Sequence, residues 1–142
     1  MSGFLLDTNV LSELKRPRSS PSVLAFVRQC PLDSLFLSDV VVAELRFGIE
    51  TAANPQRRER LAAWLKDIIR PMFAGRILSV TEDIFLRWRW NVEISRRKGY
   101  TFDQSDALVA ATALHYDLVV LTRDIEPFAR AEVAHFNPWQ AR

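Results

Sequence analysis

Hydrophobic positions along this chain fall into short blocks whose period changes repeatedly. Gly3 to Leu6 opens with an apolar run that reads as a short buried strand. Thr8 to Leu14 then reads as the start of a helix and Ser22 to Gln29 as a second one, separated by the Pro17 to Pro21 stretch. Ser34 to Leu37 is another short strand, and Val40 to Thr51 is helical, with Ser38 or Asp39 as its N-cap. Between Gln56 and Phe73, Leu61, Trp64, Leu65 and Ile68 recur at the i, i+3, i+4, i+7 spacing of an amphipathic helix, which Pro71 ends or kinks. Arg76 to Val80 reads as a strand, and Thr81 as the cap of a helix over Glu82 to Arg97. Ser105 or Asp106 opens a further helix through His115. Leu118 to Leu121 is a continuous leucine and valine run typical of a strand buried on both faces. A short helix around Pro127 to Ala131 and a strand at Val133 to Phe136 follow.

Short apolar strands alternating with helices predict an α/β fold, a central, mostly parallel sheet of about five strands between two helical layers. The 142 residues suit one domain over 1–142, since domains commonly run about 100–150 residues. In such folds the ligand site lies beyond the carboxyl ends of the strands, which says where to look for chemistry.

Composition narrows the classes. Hydrophobic residues make up 49% and charged residues 25%, which argues against a disordered or collagen-like chain. The single cysteine, Cys30, cannot form an internal disulfide and suits a reducing compartment. No uncharged apolar run approaches the roughly 18–20 residues of a membrane span, and no signal-peptide pattern is present. A cytoplasmic protein is the expectation. The net charge of +2 hides an asymmetry: Arg57 to Lys98 holds eleven basic and five acidic residues, while the rest is net negative. Sixteen of the 19 basic residues are arginine, the side chain suited to bidentate phosphate contacts. The same pattern also fits a solvated helical surface.

Four carboxylates draw attention by position. Asp7 follows the first strand directly, and Asp124 follows Leu118–Leu121 closely, so two parallel central strands would deliver both to one edge. Either could instead be a helix cap. Glu44 lies in Val40-Val41-Val42-Ala43-Glu44-Leu45, where a carboxylate is expected to be partly buried and to need a basic partner, such as Arg46 of a neighbour, or a cation. Asp106 opens the nearly all-apolar stretch to Leu114, as a first-turn charge on the helix dipole or as a ligand. Nothing resembles a Cys/His zinc pattern. His115 and His135 read as surface or helix-terminal residues, and Cys30 as a packed one. An all-carboxylate set suits a hard cation, and such sets around Mg²⁺ or Mn²⁺ recur in phosphodiester hydrolysis.

These residues fall in an order that resembles a known family. Leu5-Leu6-Asp7-Thr8-Asn9 is similar to the opening motif of PIN domains. Ser38 with Val42-Ala43-Glu44-Leu45 is similar to their second motif, Asp106 to Ala113 to the third, and Thr122-Arg123-Asp124 to the fourth, with Asn137-Pro138-Trp139 a frequent ending. The likeness spans the chain and is best to the VapC toxins of type II toxin–antitoxin systems, including the FitB-like branch. It implies a PIN-like three-layer α/β/α sandwich and a Mg²⁺- or Mn²⁺-dependent endoribonuclease. Asp7, Glu44, Asp106 and Asp124 would be the metal ligands, with Thr8, Asn9 and Thr122 positioning them or their waters. Pro127 stands where many members carry an aspartate, so Asp124 is the fourth acid and Glu126 the fallback. Asp103 reads as a helix cap or an additional acid near the site.

The resemblance further implies a homodimer and a small cognate antitoxin, with operator DNA bound only through the antitoxin and no membrane partner. Arg57, Arg58, Arg60, Arg96, Arg97 and Lys98 become candidates for the RNA backbone path. Phe85, Trp88 and Trp90 exceed what one amphipathic face needs, and read as core or as a dimer or antitoxin surface. A second functional class is a FitB-like partner in a DNA-binding toxin–antitoxin complex whose nuclease is weak or unused. A third, a phospho-acceptor α/β protein, lacks its pattern: Asn9 stands where a haloacid-dehalogenase-like phosphatase needs a second aspartate, and a receiver's acidic pair is missing.

Overall fold

A computed structural model of the chain describes residues 3–140, so the ends of the expected 1–142 domain lie outside the described residues. β1 (Phe4–Leu6) is the middle strand of a five-stranded sheet in the order β3-β2-β1-β4-β5. Its neighbours are β2 (Leu35–Ser38) and β4 (Val119–Leu121), with β3 (Ile77–Leu78) and β5 (His135–Phe136) at the edges. Every pairing is parallel. Leu5, Leu6, Leu37, Val120 and Leu121 are fully buried, because a parallel sheet has helices over both faces.

The helices are α1 (Thr8–Lys15), α2 (Pro21–Gln29), α3 (Asp39–Glu50), α4 (Pro55–Trp64), α5 (Arg70–Met72), α6 (Glu82–Arg97), α7 (Gln104–Tyr116) and α8 (Glu126–Arg130). From β1 the chain steps outward through β2 to β3, then crosses back to β4 and on to β5. Right-handed crossovers therefore put α1 to α5 on one face and α6 to α8 on the other. The packing agrees within each group, α3 touching α1 and α4 and α7 touching α6 and α8, while α3 and α7 also meet each other. The direction of travel reverses between β1 and β4, so the crevice beyond their carboxyl ends is the topological switch point where α/β folds bind ligands.

The hydrophobic pattern is followed closely, with local corrections. Ser38, rather than Asp39, caps α3 by accepting the Val41 N–H, and Thr81 caps α6 through the Ile84 N–H. The expected helix over 56–73 starts at Pro55 and is interrupted: Leu65–Ile69 is a π-helical segment, with the Arg70 N–H bonded to the Leu65 carbonyl. Pro71 has no N–H to continue an α-helix, and its ring would crowd the Asp67 carbonyl. The wider π turn just ahead relieves that conflict. The expected strand over 76–80 is only Ile77–Leu78, because β3 is an edge strand whose ladder ends as the chain turns toward Thr81. The last strand starts at His135 rather than Val133, whose N–H is taken by the Phe128 carbonyl. The helix expected to open at Ser105 or Asp106 begins one residue earlier, at Gln104, with its first backbone bond from Ala107 to the Asp103 carbonyl. Trp88 packs partly against the core, but Phe85 and Trp90 are exposed, which corrects the core reading for those two. Among the described residues, no helix is long and apolar enough to cross a membrane.

Gly3 shows how tightly the centre of the sheet is drawn. It adopts φ +152°, and its carbonyl accepts the Val119 N–H at 3.0 Å. A Cβ built there would stand 2.2 Å from the Ser34 carbonyl oxygen. Gly3→Ala is therefore expected to destabilise the protein by about 1–3 kcal/mol, the usual range for overpacking. Chemical denaturation checks this, and an unchanged midpoint would remove the close approach as a constraint.

Candidate metal centre at the sheet edge

Asp7 and Thr122 are the residues that directly follow β1 and β4, and the parallel register Leu6↔Leu121 sets them side by side. The Asp7 N–H donates to the Leu121 carbonyl at 3.0 Å, which extends the ladder by one bond. Asp7 Oδ1 accepts the Thr8 N–H at 2.9 Å, so Asp7 caps α1, as one reading of the sequence held. Its Oδ2 accepts the Thr122 hydroxyl at 2.9 Å. The same hydroxyl oxygen accepts Asn9 Nδ2 at 3.2 Å and the Asp124 N–H at 3.1 Å. One donor and two acceptor positions are all a hydroxyl has, so Thr122, fully buried, is saturated.

Asn9 also accepts the Arg123 N–H at 3.2 Å, which pins the loop that carries Asp124 to α1. From the other side, Asn137 donates to the Arg123 carbonyl at 3.5 Å and accepts the Trp139 N–H at 2.9 Å. The Arg123 guanidinium lies over the Trp139 ring, 5.0 Å from its centroid. The Asn137-Pro138-Trp139 ending thus holds the loop of the fourth acid. The sequence marked this ending as a family feature but carried no signal for the contact.

Glu44 is not buried. The buried stripe of α3 is Val41, Val42, Leu45 and Ile49, and Glu44 stands on the exposed side of it. Its partner is neither Arg46, which pairs with Glu50, nor another cation, but the Ser105 hydroxyl on α7, 2.7 Å from Oε1. Ser105 is a site-adjacent residue that sequence reasoning placed only as a helix start. Asp103 occupies the N-cap position of α7, yet its side chain makes no capping bond. Glu126, the fallback acid, is paired with Arg130 one turn along α8 and exposed to solvent.

Electrostatics tie the acids together. Burial pushes the Asp7 carboxyl above its ordinary range, against the hydrogen bonds from Thr122 and Thr8, and Asp124 and Glu44 add to the rise. Asp106 is pushed up to about 6, by burial first and then by Asp7, Asp103, Asp124 and Glu44. Asp7, Glu44, Asp106 and Asp124 therefore share one edge, with Asp103 beside them. Among the described residues, no three such side chains stand close enough, as arranged, to close on one ion. The donor chemistry, all carboxylate oxygen under mutual repulsion, fits a hard divalent cation, and side-chain rotation would be needed to bring the oxygens together.

The six basic candidates separate. Arg57 and Arg60 line a cleft of about 620 Å³ that also includes Thr8 and Glu44, together with Lys15 and Trp64. Lys15, 5.9 Å from the Trp64 ring centroid, had not been singled out. Arg58 is not free for a ligand: both its Nε and Nη2 donate to the Ala52 carbonyl and close the end of α3. Arg96 and Arg97 both bond Glu93 and hold its carboxyl down at about 2. Lys98 caps α6 and is exposed.

An all-parallel five-stranded α/β fold with an acidic crevice at its switch point defines the class, and the family model for the PIN domain matches residues 4–134. The chain belongs to the PIN-domain family. It is 38% identical to Toxin FitB of Neisseria gonorrhoeae over 135 residues, covering 95% of this chain and 97% of that one. It is 34% identical to VapC ribonuclease Y4jK of Sinorhizobium fredii over 136 residues, covering 96% and 97%. The solved structure of FitAB bound to an IR36 DNA fragment contains a chain that superposes with a TM-score of 0.91 at 35% identity, covering 98% of this chain and 97% of that chain.

The raised Asp106 has a thermodynamic consequence. Its folded state holds a proton up to about pH 6, while the unfolded carboxyl releases it near 3.8. The cation-free fold therefore loses stability as pH rises through that window, and the loss is complete above it. Asp106→Asn should raise the melting temperature in chelator at pH 7.5 and leave it unchanged below pH 4. A difference of equal size at both pH values would contradict the electrostatic account.

Proposed function

We propose that this chain is the toxin of a VapBC-type toxin–antitoxin module, an endoribonuclease that hydrolyses RNA phosphodiester bonds with Mg²⁺ or Mn²⁺. The observation that carries this reading is the gathering of Asp7, Glu44, Asp106 and Asp124 at one sheet edge, where burial, and after it like charge, push Asp106 up to about 6. The names of the relatives, a toxin and a VapC ribonuclease, support it.

In this reading Asp7, Asp106, Asp124 and Glu44 hold the metal. When bound, it lowers the pKa of a water nucleophile and neutralises charge on the phosphate. The remaining work belongs to the chain. Thr122 fixes the Asp7 carboxylate by hydrogen bond and, through the Asp124 N–H, the loop of the fourth acid. Asn9 holds that loop from α1, and Ser105 orients Glu44. Lys15, Arg57 and Arg60 supply positive charge along the cleft, where phosphates approaching the acids would be met. Asp103 adds negative charge that a metal would offset. The working form is a cytoplasmic homodimer that associates with a small antitoxin and reaches operator DNA only through it.

A second reading is favoured by the likeness to the DNA-bound FitAB complex: a partner in a DNA-binding assembly with weak or unused nuclease activity. Growth arrest on induction of the chain alone, lost with Asp7→Asn, supports the nuclease. Operator binding by the complex without any arrest supports the alternative.

Asp7→Asn or Asp106→Asn should abolish cleavage of RNA by the purified chain in Mg²⁺ or Mn²⁺ while the circular dichroism spectrum is retained. Wild-type cleavage by a carefully purified Asp7→Asn protein would sink the assignment. Thr122→Val should lose about 10–100-fold in activity, the usual effect of removing a group that orients a metal ligand, whereas Thr122→Ser should retain most of it. Equal activity of Thr122→Val and wild type would show that the hydroxyl orients nothing of consequence.

A further inference from the structure

The cleft beside the acids has an interior that metal chemistry does not use. α3 packs against both α1 and α4, and the cleft runs between those two helices over the surface of α3. Thr8 and Glu44 line its end at the sheet edge, and Lys15, Leu61 and Trp64 line it farther along α1 and α4. α4 has no fully buried residue, so its apolar side, Leu61 and Trp64, is only partly packed on the core and forms the cleft wall. Lys15 reaches across from α1 and lies over the Trp64 ring, which therefore presents a face to the open space. The floor adds an independent observation. Gly48 stands inside α3, one turn after Glu44 and lining the same cleft. Its φ is not positive, and alanine is the better residue within a helix. A Cβ built on Gly48 would meet nothing within 4 Å. Neither the backbone nor internal packing asks for glycine here, and its effect is to leave the floor of the cleft open.

We propose that this part of the cleft is a base-binding subsite, in which one unpaired base of single-stranded RNA enters over Gly48 and stacks on Trp64. The inference rests on the ribonuclease reading above and adds what is recognised beyond phosphate. Charge selects a nucleotide as the occupant. Lys15, Arg57 and Arg60 line the cleft, and among the described residues none of them is in an ion pair, whereas Arg16 at the rim is paired with Glu13. Free positive charge around an aromatic ring is how single strands are held: bases stack on the ring and phosphates lie on the cations beside it. The subsite is also continuous with the acids, since Thr8 directly follows Asp7 and lines the same cleft. From Thr8 to Lys15, α1 rises about 10 Å at 1.5 Å per residue. That is about three nucleotides at a stacking distance of roughly 3.4 Å. The stacked base therefore belongs to a nucleotide within about three of the phosphate at the acids. As the base enters, Lys15 leaves the ring face and turns to a flanking phosphate. A duplex cannot use the subsite, because its bases are already stacked on one another.

Fluorescence anisotropy in chelator, with the purified full chain, tests this without cleavage. The probes are a short labelled single-stranded RNA and a fully abasic strand of the same length and charge. Wild type should bind the RNA about 5–150-fold more tightly than the abasic strand, the range for one base stacked on an aromatic side chain. Trp64→Ala, and Gly48→Leu, which fills the floor, should each bring the RNA down to the affinity of the abasic strand. Neither should change binding of the abasic strand itself, and Trp64→Phe should keep most of the preference. Gly48→Ala should raise the melting temperature, because its methyl group meets nothing. A lower melting temperature would show that glycine serves the fold and would remove the open floor from the argument. Equal binding of both strands by a wild type that still cleaves RNA in Mg²⁺ or Mn²⁺ would overturn the subsite and leave the ribonuclease reading standing. Binding of neither strand, with no cleavage, would overturn both. Full base preference in both Trp64→Ala and Gly48→Leu would assign the cleft to a protein partner and overturn this proposal alone.

Discussion

The parallel pairing of β1 with β4 is the constraint on which the rest of the site depends. It sets the residue after each strand beside the other, so that Asp7 and Thr122 share a hydrogen bond at the switch point of the sheet. Thr122 then spends its whole hydrogen-bonding capacity on Asp7, Asn9 and the Asp124 N–H. Three segments distant in sequence, the start of α1, the loop after β4 and, through Asn137, the end of the chain, are held at one point. A buried hydroxyl can do this because leaving any of its partners unsatisfied costs more than the bonds themselves return.

That frame holds groups that repel one another. Burial raises the proton affinity of Asp7 and Asp106, the charges of Asp124 and Glu44 raise it further, and nothing basic in the described residues is paired with any of the four. Arg123, on the loop of the fourth acid, is instead laid over Trp139. A protein that merely needed stability at this edge would pair these charges or remove them. Retained charge without a basic partner is what the proposed divalent cation would offset, and the positive wall of the neighbouring cleft suits the proposed polyanionic substrate.

Much of the fold was legible because the relevant signals are local. The continuous apolar runs at Phe4–Leu6 and Val119–Leu121 mark strands buried on both faces, and Thr81 announces the start of α6. Less was legible where long-range geometry intervenes. The π segment before Pro71 answers a steric conflict that the spacing of Leu61, Trp64, Leu65 and Ile68 does not reveal. The burial expected for Glu44 failed because apolar neighbours in sequence do not say which side of a helix faces the core. Arg58 counted as a phosphate candidate by composition alone, yet its guanidinium closes the end of α3.

By itself the sequence determined the order of strands and helices and singled out four carboxylates as candidates, because hydrophobic period and motif spacing are properties of neighbouring residues. Only the tertiary structure decided which of those groups meet. The exposure of Glu44, its bond to Ser105, the division of the arginines and the open space at Gly48 all depend on how distant segments pack. A side chain's partners are set by the surfaces brought against it, and those surfaces come from elsewhere in the chain.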